Sequence, residues 1–276
     1  MKRIAKIALL ALLLAVGFGQ ELQAQVQAEN GGSTIRLRVM SMNIKEGGRY
    51  CGFLSAPFAE LINQHKPDVV CLQEVDHRTT RNGGRDWLHE VAAATGMMPY
   101  FCQSMTYQGG GFGTALLCRY PFHRLTKIIT TLEGAREPRS TGWLYFALPE
   151  GGIVRVASTH LALESSQMTI RHLADVNSKL FAEDESTPTL LVGDFNAAEG
   201  SDPISYAANR WVDLGRGYGN TYPSSREDIT YAPCRLDYVM AYPKTGWSVV
   251  SYEILDCPEL SDHRFIVAEL TYTPNN

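Results

Sequence analysis

Between residues 35 and 272 the chain repeats one short signal, a run of apolar, β-branched or aromatic residues closed by polar ones. Such runs lie at Ile35 to Met42, Val69 to Leu72, Gly113 to Cys118, Leu144 to Leu148, Val154 to Ser158, Leu190 to Val192, Leu236 to Ala241, Val249 to Leu255 and Phe265 to Tyr272. Their length and content are those of strands. Phe53 to His65 and Asp86 to Thr95 instead space apolar residues by three and four, as amphipathic helices do, with Gly96 placed to stop the second. Ser166 to Ala182 is a third helix candidate. Many strands with few helices predict an α/β (α+β) fold of two packed sheets covered by helices.

No low-complexity linker, fixed-period repeat or composition shift follows residue 35, so one domain over residues 35–274 is the economical reading. With 45% hydrophobic and 20% charged residues, the chain has a globular profile that excludes fibrous and disordered classes. The start differs. Lys2, Arg3 and Lys6 precede an apolar run from Ile7 to Phe18, and Leu22-Gln23-Ala24 offers a small-residue cleavage site. Residues 1–24 therefore read as a secretory signal peptide, and the product as exported, periplasmic or extracellular. An uncleaved anchor is disfavoured because the run is shorter than the ~20 residues of a span, and no later segment approaches one.

Removing the signal takes away three basic residues and Glu21, carrying the formal charge from −4 to −6. No cluster of Lys and Arg offsets it, which argues against an extended nucleic-acid partner. Cys51, Cys71, Cys102, Cys118, Cys234 and Cys257 lack the paired spacing of a zinc site, and export permits disulfides without requiring them. One is expected between Cys234 and Cys257, if the strands Leu236 to Ala241 and Val249 to Leu255 form a hairpin around Pro243 to Gly246. Cys71 and Cys118 lie within apolar strands and read as buried thiols.

The polar residues that close the strands carry the chemistry. Asn43 ends one strand, Gln73-Glu74 another, and Thr159-His160 a third; Gly193-Asp194-Phe195-Asn196, Asp237 and Asp262-His263 complete the set. Asp194 and Asn196, two apart, project to one side of an extended chain. Four carboxylates, two histidines and two amides at strand ends supply a hard oxygen site suited to Mg²⁺ or Mn²⁺, with room for water and substrate oxygens. A carboxylate beside a histidine also orients the imidazole for acid/base work near neutral pH.

In that order the segments Asn43, Leu72-Gln73-Glu74, Thr159-His160-Leu161, Gly193-Asp194-Phe195-Asn196, Leu236-Asp237-Tyr238 and Ser261-Asp262-His263 resemble the endonuclease/exonuclease/phosphatase superfamily. Gly109 to Gly113, Glu137-Pro138-Arg139 and Thr221-Tyr222-Pro223 are most similar to its exported bacterial metal-dependent hydrolases. The resemblance implies a DNase I-like four-layer α/β/β/α sandwich of two mixed β-sheets with the site at one edge. It implies Glu74 as the principal metal ligand, helped by Asn43 and Asp262. Asp194 and Asn196 would position or deprotonate the attacking water and bind the phosphoryl oxygen. His263, held by Asp237, would act as general base or stabilise the phosphorane, and His160 would protonate the leaving oxygen or stabilise charge. Which histidine is acid and which is base stays open on the residues alone. Arg136 and Arg139 are candidate phosphate contacts. His65, His77, His89, His123 and His172 read as surface or helix residues.

Three functions compete: a secreted divalent-metal phosphoesterase of a small or lipid-linked phosphate ester such as a phospholipid head group, a secreted nuclease, and an inactive binding module of the same fold. The last is disfavoured because no catalytic position looks replaced. The nuclease is weakened by Asp76, which stands where DNase-like relatives resemble one another in placing a basic DNA contact. A monomer is expected. The aromatic segments Trp211 to Tyr222 and Tyr100 to Phe112 are candidate rims for a sugar, inositol or acyl-linked head group.

Overall fold

Strands form at all nine expected positions, and most run past their apolar centre to the polar residues that close it. The computed structural model describes residues 34–274, so the signal segment 1–24 lies outside the described residues. The strands are β1 (Ile35–Asn43), β2 (Val69–His77), β3 (Met98–Tyr107), β4 (Gly110–Cys118), β5 (Phe122–Thr130), β6 (Arg139–Ala147), β7 (Ile153–His160), β8 (Thr189–Asp194), β9 (Val212–Asp213), β10 (Asp237–Tyr242), β11 (Trp247–Leu255) and β12 (Phe265–Tyr272). The helices are α1 (Ala56–His65), α2 (Trp87–Thr95), α3 (Ser166–Glu183) and the short α4 (Asp202–Ala207). Pro57 opens α1 and left-handed Gly96 closes α2, while the Ser165 hydroxyl caps α3 by accepting from the Met168 N–H.

Three strands carried no apolar signal: β3, β5 and β9. All three are edge strands of their sheets. An edge strand keeps one face or margin in water, and β5 accordingly alternates half-buried and exposed residues over most of its length.

One sheet has the order β11-β12-β1-β2-β4-β3 and the other β5-β6-β7-β8-β10-β9. Each is mixed, with a single parallel pair, β1 with β2 and β7 with β8, and antiparallel neighbours elsewhere. The parallel pairs need a crossover, which α1 supplies in one sheet and α3 in the other. Between the sheets Leu37, Val39, Cys71, Leu116, Leu144, Val156, Val192 and Ile266 form a continuous core. Phe58, Ile62, Trp87 and Val91 of α1 and α2 cover the outer face of the first sheet, and Leu173, Val176, Leu180 and Phe181 of α3 that of the second. The result is the four-layer α/β/β/α sandwich. Each large apolar side chain in it contributes roughly 1.5–3 kcal/mol by leaving water.

Three expectations are corrected. β10 and β11 form no hairpin: β10 pairs with β8 and β9 in one sheet, β11 with β12 in the other. Cys234 and Cys257 are accordingly free thiols, as are the other four cysteines. His172 lies on a helix as expected, where it is fully buried and its Nδ1 accepts from the Ala162 N–H at 3.1 Å. Trp211 belongs to no rim, since it packs under α3 and donates to Asn177 Oδ1.

Candidate active site

Strand direction gathers the polar residues. β1 and β2 run parallel, as do β7 and β8, so Asn43, Glu74, His160 and Asp194 arrive at the same edge of the sandwich. His160 and Asp194 lie opposite each other in register, and antiparallel β10 begins at that edge with Asp237 opposite Asp194. β12 starts beside it, preceded by Asp262 and His263.

Local backbone detail then aims each group. The β2–β4 register shifts between Leu72 and Val75, and Glu74 sits there in the left-handed region at φ +60°. That conformation costs a non-glycine residue roughly 1–2 kcal/mol. The bulge turns Gln73 inward, where Nε2 donates to Ser158 Oγ at 3.3 Å, and leaves the Glu74 carboxylate facing the cleft. Gly193 before Asp194 has φ +140°, and a Cβ there would stand 2.1 Å from the Thr159 carbonyl oxygen, so only glycine lets β8 lie so close to β7. The side chain of Thr221 accepts from the N–H groups of Leu236 and Asp237 at 3.0 Å each, fixing the start of β10.

The groups converge on Asp194, which is buried. Its Oδ2 lies 3.1 Å from Asn43 Nδ2, 3.4 Å from His160 Nε2 and 3.7 Å from His263 Nε2, and its Oδ1 accepts from the Asn196 N–H at 2.8 Å. Asn43 Nδ2 also donates to Glu74 Oε1 at 3.2 Å. Asn196 is left-handed, and its Nδ2 donates to the Leu161 carbonyl, which fixes the amide at the rim. His263 Nδ1 meets Asp237 Oδ2 at 2.8 Å, and the Tyr222 ring packs on its imidazole at 4.9 Å. Burial alone would lower the proton affinity of His263, but the carboxylates of Asp237 and Asp194 outweigh it and push the imidazole up to about 10. His160 behaves oppositely: burial first, then the Arg139 guanidinium at 2.9 Å from Nδ1 and the charge on His263, hold it well below its usual range. Burial also raises the Asp194 carboxyl, against the pull of His263.

Glu74, His160, Asp194, Asn196, Asp262, His263, Arg136 and Arg139 line one cavity of about 550 Å³, with Asn43 and Asp237 behind its wall. Arg139 is held by Glu137 at 3.1 Å, and the Arg136 N–H donates to Glu164. Of the expected aromatic rims, Tyr107 and Phe112 from one and Tyr222 from the other reach this cavity.

Three cleft residues went unnoticed in the sequence. Lys45 to Gly48 are four successive residues with positive φ, a left-handed turn that the Gly47-Gly48 pair alone announced. The turn brings Lys45 Nζ to 3.0 Å from Asp262 Oδ2 and points the Glu46 N–H at Glu74 Oε2, 2.9 Å away. Burial opposes the charge on Lys45, but Glu74 and Asp262 hold the ammonium above its ordinary value. The third is Arg81, anchored on Asp76. Asp76 itself is buried and does not line the cleft, so the acid that seemed to replace a basic contact carries a base to it instead.

Glu74 and Asp262 face the cleft as oxygen donors with no thiol beside them, a pair that suits a hard divalent cation, and behind them the Oδ1 of Asn43, a third oxygen, accepts from the Lys45 N–H at 3.1 Å. Asp194, Asp237 and His263 form a second group with ligand atoms within 4.8 Å of one another, but there the imidazole and Asp237 already satisfy each other.

Comparison with known proteins agrees with this geometry. The family model for the endonuclease/exonuclease/phosphatase family matches residues 40–263. No curated protein matches the chain in sequence. Among solved structures it is similar to a functionally unknown conserved protein of Enterococcus faecalis, with TM-score 0.71, 19% identity and coverage of 85% of this chain and 99% of that one. It is also similar to the catalytic domain of human Nocturnin with bound sulfate, with TM-score 0.68, 20% identity and coverage of 88% and 97%. A mannosyl-6-phosphatase of Bacteroides thetaiotaomicron aligns with TM-score 0.65, 16% identity and coverage of 85% and 99%. At such identities the likeness is one of fold.

Proposed function

The chain belongs to the endonuclease/exonuclease/phosphatase family, whose members hydrolyse phosphoesters, and from that premise we propose that it is an exported, Mg²⁺- or Mn²⁺-dependent phosphoesterase acting on a small or lipid-linked phosphate ester. The observation that carries this reading is the placement of Asp194. One buried carboxylate has Asn43 at 3.1 Å and two imidazoles at 3.4 and 3.7 Å, inside a cleft of about 550 Å³ that a compact phosphate ester fills.

Asp194 orients the attacking water and takes its proton, a role suited to a carboxyl raised by burial. His263, kept cationic by Asp237, faces the charge that develops as the water adds and gives its proton to the alcohol oxygen as the P–O bond to it breaks. The Asp194 proton returns to the imidazole afterwards. His160, held neutral, steadies a phosphoryl oxygen from the other side with Arg139 behind it. A divalent cation held by Glu74, Asp262 and Asn43 would neutralise phosphoryl charge and lower the barrier to attack. The cleft cations favour a small ester over a long polyanion, because Lys45, Arg81 and Arg139 each face a carboxylate of this chain.

A substrate panel tests the reading: DNA, RNA, choline and inositol phospholipids, and soluble phosphate mono- and diesters, with Mg²⁺ or Mn²⁺. Turnover of a phospholipid or small ester is expected, lost on chelation and lowered at least ~10²-fold in kcat by Glu74→Ala, Asp194→Ala or His263→Ala. Full activity in EDTA or in His263→Ala overturns it. Plasmid nicking at low nanomolar enzyme as the strongest activity replaces it with a nuclease. N-terminal sequencing of secreted protein checks cleavage after Ala24.

A further inference from the structure

One wall of the cleft takes no part in the chemistry above. Arg81 donates through Nε and Nη2 to both oxygens of Asp76, at 2.6 and 2.8 Å, a two-bond fork that fixes the guanidinium plane. Asp76 is fully buried and also accepts from the Thr79 hydroxyl at 2.8 Å, so this anchor cannot swing away. The guanidinium lies over the Tyr107 ring at 4.7 Å, with Phe112 at 5.4 Å. Its remaining edge, Nη1, meets Glu46 Oε2 at 3.2 Å, and the Glu46 N–H reaches Glu74 at 2.9 Å. The wall is therefore rigid, open to the cavity and one residue away from the metal-binding carboxylate.

We propose that Arg81, Glu46 and Tyr107 form a subsite for a hydroxylated ring, a sugar or cyclitol, carried by the phosphate ester. The inference rests on the phosphoesterase reading and extends it from the reacting phosphate to the alcohol. Charge gives no call for a second anion: Asp76 and Glu46 are balanced by Arg81 and by Arg49, which also meets Glu46 Oε2 at 3.3 Å, so no excess positive charge is left to hold a further phosphate. Neighbouring ring hydroxyls have the matching chemistry, since each can accept from Arg81 and donate to Glu46. The C–H face of such a ring needs an apolar surface, which Met105, Tyr107 and Phe112 provide. A soluble sugar phosphate and a lipid-linked inositol present the same ring, and the assay separates them.

Steady-state kinetics with Mg²⁺ would compare mannose 6-phosphate, inositol 1-phosphate and phosphatidylinositol vesicles with p-nitrophenyl phosphate and phenyl phosphate, which carry no hydroxylated ring. The pair is replaced together, as D76N/R81M, so that no buried carboxylate is left without its partner; Y107A is the second variant should the pair lower the melting temperature. A ring ester should exceed p-nitrophenyl phosphate at least 10-fold in kcat/KM, and each variant should cut that ratio at least 10-fold, chiefly through KM. Soluble esters turning over while vesicles do not, or the reverse, identifies the source of the ring. Calorimetric titration of mannose 6-phosphate and inositol 1-phosphate into EDTA-treated protein reads the subsite without turnover: at least 10-fold weaker binding in the variants supports it. Binding without hydrolysis of any ester sinks the phosphoesterase reading and leaves the subsite. Hydrolysis with an unchanged ratio, or equal binding by wild type and variants, overturns the subsite.

Discussion

At the scale of single residues, the candidate site holds two imidazoles in opposite states. Carboxylates 2.8 and 3.7 Å away hold His263 protonated, while burial and a guanidinium hold His160 neutral. Asp237→Asn removes the nearer charge while keeping the shape. In EDTA, NMR titration of His263 should then show its midpoint falling from about 10 toward the ordinary histidine value. A group raised in the folded state contributes stability that is complete below pH 6.5 and lost as pH rises toward 10. The variant should therefore lose less stability on the alkaline side than wild type, and an unmoved midpoint would show that Asp237 does not hold the proton. The chemistry of strand ends was readable in Asn43, Glu74, Asp194 and His263. Lys45 and Arg81 were not, because their importance lies in what they touch across 217 and 5 residues of chain.

Elements add constraints that single residues do not show. α3 carries His172 into the outer core, where burial above all, with the Arg139 charge second, lowers its proton affinity to about 4. Its neutral Nδ1 caps the Ala162 N–H in the turn that follows β7, linking the helix to the strand that delivers His160. A group depressed in this way stays neutral while its unfolded counterpart protonates, so the folded state loses stability as pH falls from 6.5 toward 4, by about 3 kcal/mol. Urea denaturation at pH 7 and pH 4.5 should show His172→Gln losing less than wild type; equal losses would refute the buried neutral imidazole. The failed β10–β11 hairpin belongs to this scale too. Strand propensity located both elements, but a connection of four residues, Pro243 to Gly246, serves equally to turn back within a sheet or to cross to the facing one.

For the whole molecule, two mixed sheets bring six strand ends to one rim, and the same arrangement keeps most cleft cations matched by carboxylates. With a formal charge of −4 and no basic surface run, the chain has little counterion release to gain from a polyanion. Its kcat/KM on a small ester should change less than ~3-fold between 50 and 200 mM salt, whereas a protein making many phosphate contacts loses roughly 10³-fold or more. Initial rates across a salt series decide between them, and a steep fall would favour a nucleic-acid substrate.

The sequence by itself determined where the strands and main helices lie and which polar residues close them, because strand burial and helix amphipathicity write their periods directly into the order of residues. Through the ordered segments from Asn43 to His263 it also identified the family and the sandwich. It did not determine the edge strands β3, β5 and β9, whose half-solvated faces carry no apolar run, nor which sheet β10 and β11 each join. Only the tertiary structure decided that Asp76 turns inward and sends Arg81 to the cleft, that Lys45 meets Asp262, and that His160 and His263 differ in charge. These are properties of contacts between distant segments and of the burial around them, and neither distance nor burial across the fold is encoded in any one stretch of chain.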